Sequence, residues 1–137
     1  MPARVLLVDE SVMLRDELRG YLQRAGYEVI AAGDTLQALT LFRALSPALV
    51  MVDTAISQTG GIGALALLRI MHNEDAAVRV LMIGRHASPE VRKSFLVEGA
   101  VDYLIKPSDG QGFSCACKRL AELLPQIASI PQAPRAA

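Results

Sequence analysis

Net charge is the first thing this sequence lacks. Its 14 basic and 14 acidic side chains cancel at pH 7, and the pI is about 6.7. That balance offers no electrostatic footprint for direct nucleic-acid binding and no polyacidic tail. Long apolar runs are also missing. Hydrophobic residues make up 52% of the chain, yet no run approaches the roughly 18–20 residues that span a bilayer. Membrane insertion is not expected. Met1-Pro2-Ala3-Arg4 leads straight into a strand-like segment, so the chain reads without a signal peptide. The 2 cysteines are Cys115 and Cys117. They would lie about 200° apart around a helix, which disfavours a mutual disulfide and fits a reducing, cytoplasmic setting. The 2 histidines, His72 and His86, have no partners at metal-ligand spacing and read as surface residues. No internal repeat or low-complexity block occurs.

What the chain has is alternation. Strand-like apolar segments cover Val5–Val8, Glu28–Ala32, Leu49–Val52, Val78–Ile83 and Val101–Ile105. Helical patterns separate them. Leu14, Leu18, Leu22 and Ala25 share one helix face, stopped by Gly26. Asp34 or Thr35 caps a helix carrying Leu36, Leu39, Phe42 and Leu45, ended by Ser46-Pro47. Leu65, Leu68 and His72 mark a third helix from Gly63 to Asn73. Ser88-Pro89-Glu90 starts a fourth that ends at Gly99. Phe113, Cys117, Leu120 and Leu124 give a fifth, stopped by Pro125. The expected fold is α/β, a doubly wound (βα)5 domain with a five-stranded parallel sheet, over residues 1–124. Residues 125–137 read as a disordered tail or the start of a linker.

Parallel strands bring their carboxyl ends to one edge, where ligands bind. Here that edge is charged. The first strand runs into Asp9-Glu10, the third ends in Asp53, and the fifth runs into Lys106-Pro107. Three acids and a lysine make a pocket that suits a hard cation and tolerates a phosphoryl group. Mg2+ prefers oxygen ligands and retains several waters, and a carboxylate such as Asp53 can act as a nucleophile. Lys106 would add positive charge where the transition state is electron-rich.

Val8-Asp9-Glu10-Ser11, Leu49-Val50-Met51-Val52-Asp53 and Gly99-Ala100-Val101-Asp102-Tyr103-Leu104-Ile105-Lys106-Pro107 together resemble the receiver domain of two-component response regulators, with its flavodoxin-like fold. The resemblance covers roughly residues 4–124. It implies that Asp53 is the phosphoacceptor, that Glu10 and the Ala55 backbone carbonyl ligate Mg2+ beside Asp53, and that Asp9 acts partly through water. Lys106 would pair with Asp53 and later with the phosphoryl group. A sensor histidine kinase or phosphotransfer protein is the implied donor. The fourth helix, fifth strand and fifth helix form the implied output face or homodimer surface, with Phe95 and Tyr103 on it. Arg15, Arg19 and Arg24 read as a solvated face of the first helix, the edge that in the family meets the kinase.

The departures matter as much. Receivers usually end the fourth strand in Thr or Ser, whose hydroxyl takes a phosphoryl oxygen; here Gly84 stands there, followed by Arg85. Arg85 reads either as a solvated loop residue or as a site residue; in the latter role it is a good ligand for a phosphoryl group and an equally good partner for the bare Asp53 carboxylate, the pairing expected of the two. Tyr103 matches a switching aromatic, but without a hydroxyl at 84 it reads equally as a half-buried strand tyrosine. Ser57 replaces a usual proline, and with Gly60, Gly61 and Gly63 behind it the loop after Asp53 reads as mobile. The alternative function is a phosphorylation-independent docking or dimerisation module. A metal-dependent aspartyl phosphatase is disfavoured, because Ala55 stands where such chemistry uses a second aspartate. The chain reads as a signalling domain rather than an enzyme.

Overall fold

The computed structural model describes residues 3–56, 60–85 and 88–105, together with Leu120, Glu122 and Pro125. The elements alternate as β1 (Arg4–Val8), α1 (Val12–Arg24), β2 (Glu28–Ala32), α2 (Thr35–Leu45), β3 (Leu49–Asp53), α3 (Ala64–Glu74), β4 (Arg79–Gly84), α4 (Pro89–Val97) and β5 (Asp102–Ile105). The strands form one sheet in the order β2-β1-β3-β4-β5, and every pairing is parallel. The expected doubly wound architecture is therefore present. The chain moves outward from β1 to β2, then returns to the other side of β1 through β3. That reversal opens a crevice at the carboxyl ends of β1 and β3.

The interior strands lack alternation because both of their faces are covered. Every residue of β3 is buried, as are all but the first of β1 and β4. One apolar layer joins Val50, Val52, Val80 and Met82 of the sheet to Phe42 of α2, Leu67, Leu68 and Met71 of α3, and Phe95 of α4. The other joins Leu7, Met51, Leu81 and Leu104 to Leu18 and Leu22 of α1 and to Leu120. Leu120 is helical and fully buried, as the stripe of the fifth helix requires, and Pro125 is helical too, one step past the expected stop. Phe113, Cys115, Cys117, Leu124 and the tail beyond Pro125 lie outside the described residues, as do Ser57 and His86.

Local chemistry sets the helix ends. Asp34, rather than Thr35, caps α2, accepting from the Gln37 amide at 2.8 Å, while Gln37 Oε1 accepts from the Gly33 amide at 2.8 Å. The two side chains thus satisfy the Gln37 and Gly33 amides at the helix entry. Thr35 is buried instead, and its hydroxyl donates to the Ile62 carbonyl at 2.9 Å, tying α2 to the end of the loop that follows β3. Ser88 caps α4 with Pro89 behind it, accepting from the Val91 amide at 3.2 Å.

Three expectations change. The buried face of α3 is Ala64, Leu67, Leu68 and Met71, not Leu65, Leu68 and His72. The segment Ala64–Met71 is apolar over most of its circumference, so periodicity alone leaves the phase open. Half-buried His72 places Nε2 3.1 Å from the Gly99 carbonyl, bracing α3 against the turn before β5. Arg15 and Arg19 are half-buried rather than solvated.

Candidate functional site

Asp53 is the last residue of β3, and Asp9 directly follows β1. Both are almost fully buried, at 4% and 3% exposure. Each carboxylate is oriented by an amide two residues on: Ser11 N donates to Asp9 Oδ1 at 2.8 Å, and Ala55 N donates to Asp53 Oδ1 at 3.1 Å. These Asx turns are local consequences of an acid placed where a strand gives way to a loop. The backbone is pinned as well. Asp9 N donates to the Ala32 carbonyl at 3.0 Å, and Thr54 N donates to the Ile83 carbonyl at 2.9 Å. Arg15 of α1 donates from Nη1 to the Asp9 carbonyl at 3.2 Å, a contact the sequence reading missed.

Asp9, Glu10, Ser11, Asp53, Thr54, Ala55 and Arg85 line one open cleft of about 500 Å³. The acids expected to converge thus share one cavity at the strand reversal. Glu10 is exposed at its rim. Arg85 is exposed too, and among the described residues it makes no ion pair with Asp53. The expected pairing with the bare carboxylate is therefore not formed. Lys106 lies outside the described residues.

The donor set fits Mg2+. Carboxylate oxygens of Asp9, Glu10 and Asp53 and the Ala55 carbonyl are all hard ligands around one cavity. Among the described residues, no three His, Cys, Asp or Glu side chains are close enough to form a ready metal cage. Mg2+ does not require one, because it binds through one or two carboxylates and keeps several waters.

Two neighbours complete the site. Thr54 follows the candidate phosphoacceptor, and its Oγ1 lies 3.1 Å from the Tyr103 hydroxyl. Tyr103 is buried, at 3% exposure, deeper than the half-buried reading and compatible with the inward state of a switching aromatic, and its ring meets Phe95 at 5.9 Å with a 51° tilt. Phe95, at 8% exposure, also points inward. The α4–β5 side therefore presents neither aromatic; its exposed apolar side chains are Val91, Val97, Val101 and Ile105. Asp102, 5% exposed, accepts from Arg92 Nη2 of α4 at 2.8 Å and from the Tyr103 amide at 2.7 Å. That link joins α4 to β5 and was not foreseen.

Residues 5–115 match the response regulator receiver domain family model. The chain is 32% identical over 104 residues to the probable transcriptional regulator ycf27 of Cyanophora paradoxa, an overlap covering 76% of this chain and 42% of ycf27. It is 29% identical over 108 residues to the chemotaxis protein CheY of Bacillus subtilis, covering 78% of this chain and 88% of CheY. The crystal structure of the receiver domain of NtrX from Brucella abortus superposes with a TM-score of 0.79 at 28% identity, covering 93% of this chain and 99% of that one. This chain belongs to the response regulator receiver domain family and is a receiver domain of two-component signal transduction. It spans less than half the length of ycf27. Among the described residues, no helix is long and apolar enough to cross a membrane.

Proposed function

We propose that Asp53 accepts a phosphoryl group from a sensor histidine kinase or phosphotransfer protein, and that the domain then acts through protein contacts. The observation that carries this reading is the pairing of two buried, turn-oriented carboxylates, Asp9 and Asp53, in one open cleft at the reversal of strand order. In the transfer, an Asp53 carboxylate oxygen forms a bond to phosphorus as the N–P bond of phosphohistidine breaks. The electron pair of that bond leaves with the imidazole, which takes up a proton, and Asp53 becomes an acyl phosphate. Glu10, Asp53 and the Ala55 carbonyl would hold Mg2+, with Asp9 acting through water. Bound there, the ion would neutralise charge spread over the phosphoryl oxygens. Lys106 supplies a further positive charge by its place in the family motif. Exposed Arg85 borders the cleft and is a third cation available to the phosphoryl oxygens.

Three acids in one cleft favour this reading over a phosphorylation-independent docking module. The output surface we assign to the α4–β5 side, where Val91, Val97, Val101 and Ile105 are exposed, which also makes it the candidate homodimer face. Incubation with Mg2+ and acetyl phosphate, followed by intact-mass measurement, tests the chemistry. One phosphoryl group should be gained by the wild type and none by Asp53→Asn, and chelation of Mg2+ should suppress the gain. Equal labelling of both proteins, or none of either, would overturn the assignment.

A further inference from the structure

The last position of β4 has no side chain, and the space is filled from two other elements. A Cβ placed on Gly84 would lie 2.2 Å from the Tyr103 hydroxyl and 2.4 Å from Thr54 Oγ1. Both distances fall far inside van der Waals contact, so any side chain at 84 requires these groups to move. The register explains the convergence. Met82 pairs with Tyr103 and Gly84 with Ile105, so the Tyr103 ring leans along β4 toward Gly84 on the face that carries Met82. Thr54 reaches the same point from the turn after β3, its amide held by the Ile83 carbonyl at 2.9 Å. The two hydroxyls then meet at 3.1 Å. This hydrogen bond joins the residue beside Asp53 to the aromatic pair under the α4–β5 surface.

We propose that Gly84 seats Tyr103 inward before any phosphoryl group arrives, so that this tyrosine does not report the state of Asp53. The seating rests on the open volume at Gly84 and on the contact with Thr54. The second clause also rests on the reading of Asp53 as phosphoacceptor. In a receiver with Thr or Ser at this position, that side chain and an inward tyrosine compete for one volume. Here the competitor is absent, and Thr54 supplies the partner for the ring hydroxyl. A protein that recognises the α4–β5 surface with its tyrosine buried would therefore bind the unphosphorylated chain.

Nitration by tetranitromethane, located by peptide mass mapping, tests the seating. Tyr21 and Tyr27 are half-buried and serve as internal references. Tyr103 of the untreated wild type should react about tenfold more slowly than Tyr21, because a buried ring reacts only through local opening. Folded Gly84→Ala should bring Tyr103 to the rate of Tyr21. If Gly84→Ala does not fold, Gly84→Ala combined with Thr54→Ala and Tyr103→Leu should restore folding, since both filling groups are then cut back. Wild-type Tyr103 reacting as fast as Tyr21, folded Gly84→Ala with Tyr103 still protected, or failure of the triple variant to fold would each overturn the seating. The same measurement on wild type treated with Mg2+ and acetyl phosphate should leave Tyr103 protected, and its exposure in a sample shown by mass to be phosphorylated would overturn the second clause. Absence of any mass gain would count against the phosphoacceptor reading and leave the seating to be decided by the untreated proteins.

Discussion

Asp102 is a buried acid with two distinct jobs, and substitutions separate them. Its carboxylate accepts from Arg92 Nη2 at 2.8 Å and from the Tyr103 amide at 2.7 Å. Its side chain is 7% exposed, while that of Arg92 is 49% exposed. Asp102→Ala frees Arg92 to return to water, a loss of at most about 1 kcal/mol. It also removes one acceptor from the buried Tyr103 N–H, a further loss of about 1 kcal/mol. The sum is roughly 2 kcal/mol. Asp102→Asn keeps an acceptor for that N–H and loses only the charge, so about 1 kcal/mol is expected. Arg92→Ala leaves a carboxylate buried with its amide contact intact, and about 1–2 kcal/mol is expected because its partner was half in water. Equilibrium urea unfolding reads these directly. With a slope of about 2 kcal/mol/M, Asp102→Ala should lower the midpoint by about 1 M without changing the slope. A cycle with Asp102→Ala and Arg92→Ala should show coupling above about 0.5 kcal/mol. Asn costing as much as Ala would refute the role given to the Tyr103 amide, and additive single variants would refute the ion pair.

Three further outcomes are expected. Asp34→Ala should cost about 1 kcal/mol in the same assay, since it removes the α2 cap; no loss would show that Gln37 holds that end unaided. Gly99→Ala should cost more than Gly26→Ala: both glycines have positive φ, +109° and +95°, but only at Gly99 would a Cβ meet His72 Nε2, at 2.8 Å. Equal losses would leave only the backbone effect, about 1 kcal/mol or more. The hydrogen bond from Arg69 holds the Glu98 carboxyl below the usual carboxylate range, with the charge of Arg69 adding to it and slight burial opposing it. Because the folded pKa is the lower one, the contribution of this pair is complete above the ordinary glutamate pKa and is lost as pH falls through the depressed value. Carboxyl-carbon NMR should place the Glu98 midpoint higher in Arg69→Ala than in wild type, and an unchanged midpoint would refute the cause given.

The strands were legible because both sheet faces are covered: runs such as Leu49–Val52 are unbroken, too short for a helix and bounded by turn residues, and each ended within a residue of its expected position. The cleft acids were legible for the converse reason, since an acid at the end of such a run is costly unless it serves an open edge. The phase of α3 was hidden by apolar residues around most of its girth. The direction of the Arg85 side chain was not legible, because sequence gives reach and not direction. Thr54 went unnoticed because its role depends on an absence: Gly84 declares that a side chain is missing, but only the register of β4 against β5 shows that Tyr103 fills the gap. The Asp102–Arg92 link was missed because an acid next to a strand tyrosine looks the same whether it faces solvent or a neighbouring helix.

The volume at Gly84 also sets an order in which this sequence can change. Three elements share it, so replacements at 54, 84 and 103 are not independent. A hydroxyl-bearing residue introduced first at 84 collides with two side chains already in place. Trimming Thr54 or moving Tyr103 first opens the way. The ancestry of such a domain is therefore directional: the glycine is easily kept once the tyrosine has settled, and is hard to replace by any single step. Among homologues, residues at these three positions should be inherited as a set rather than singly.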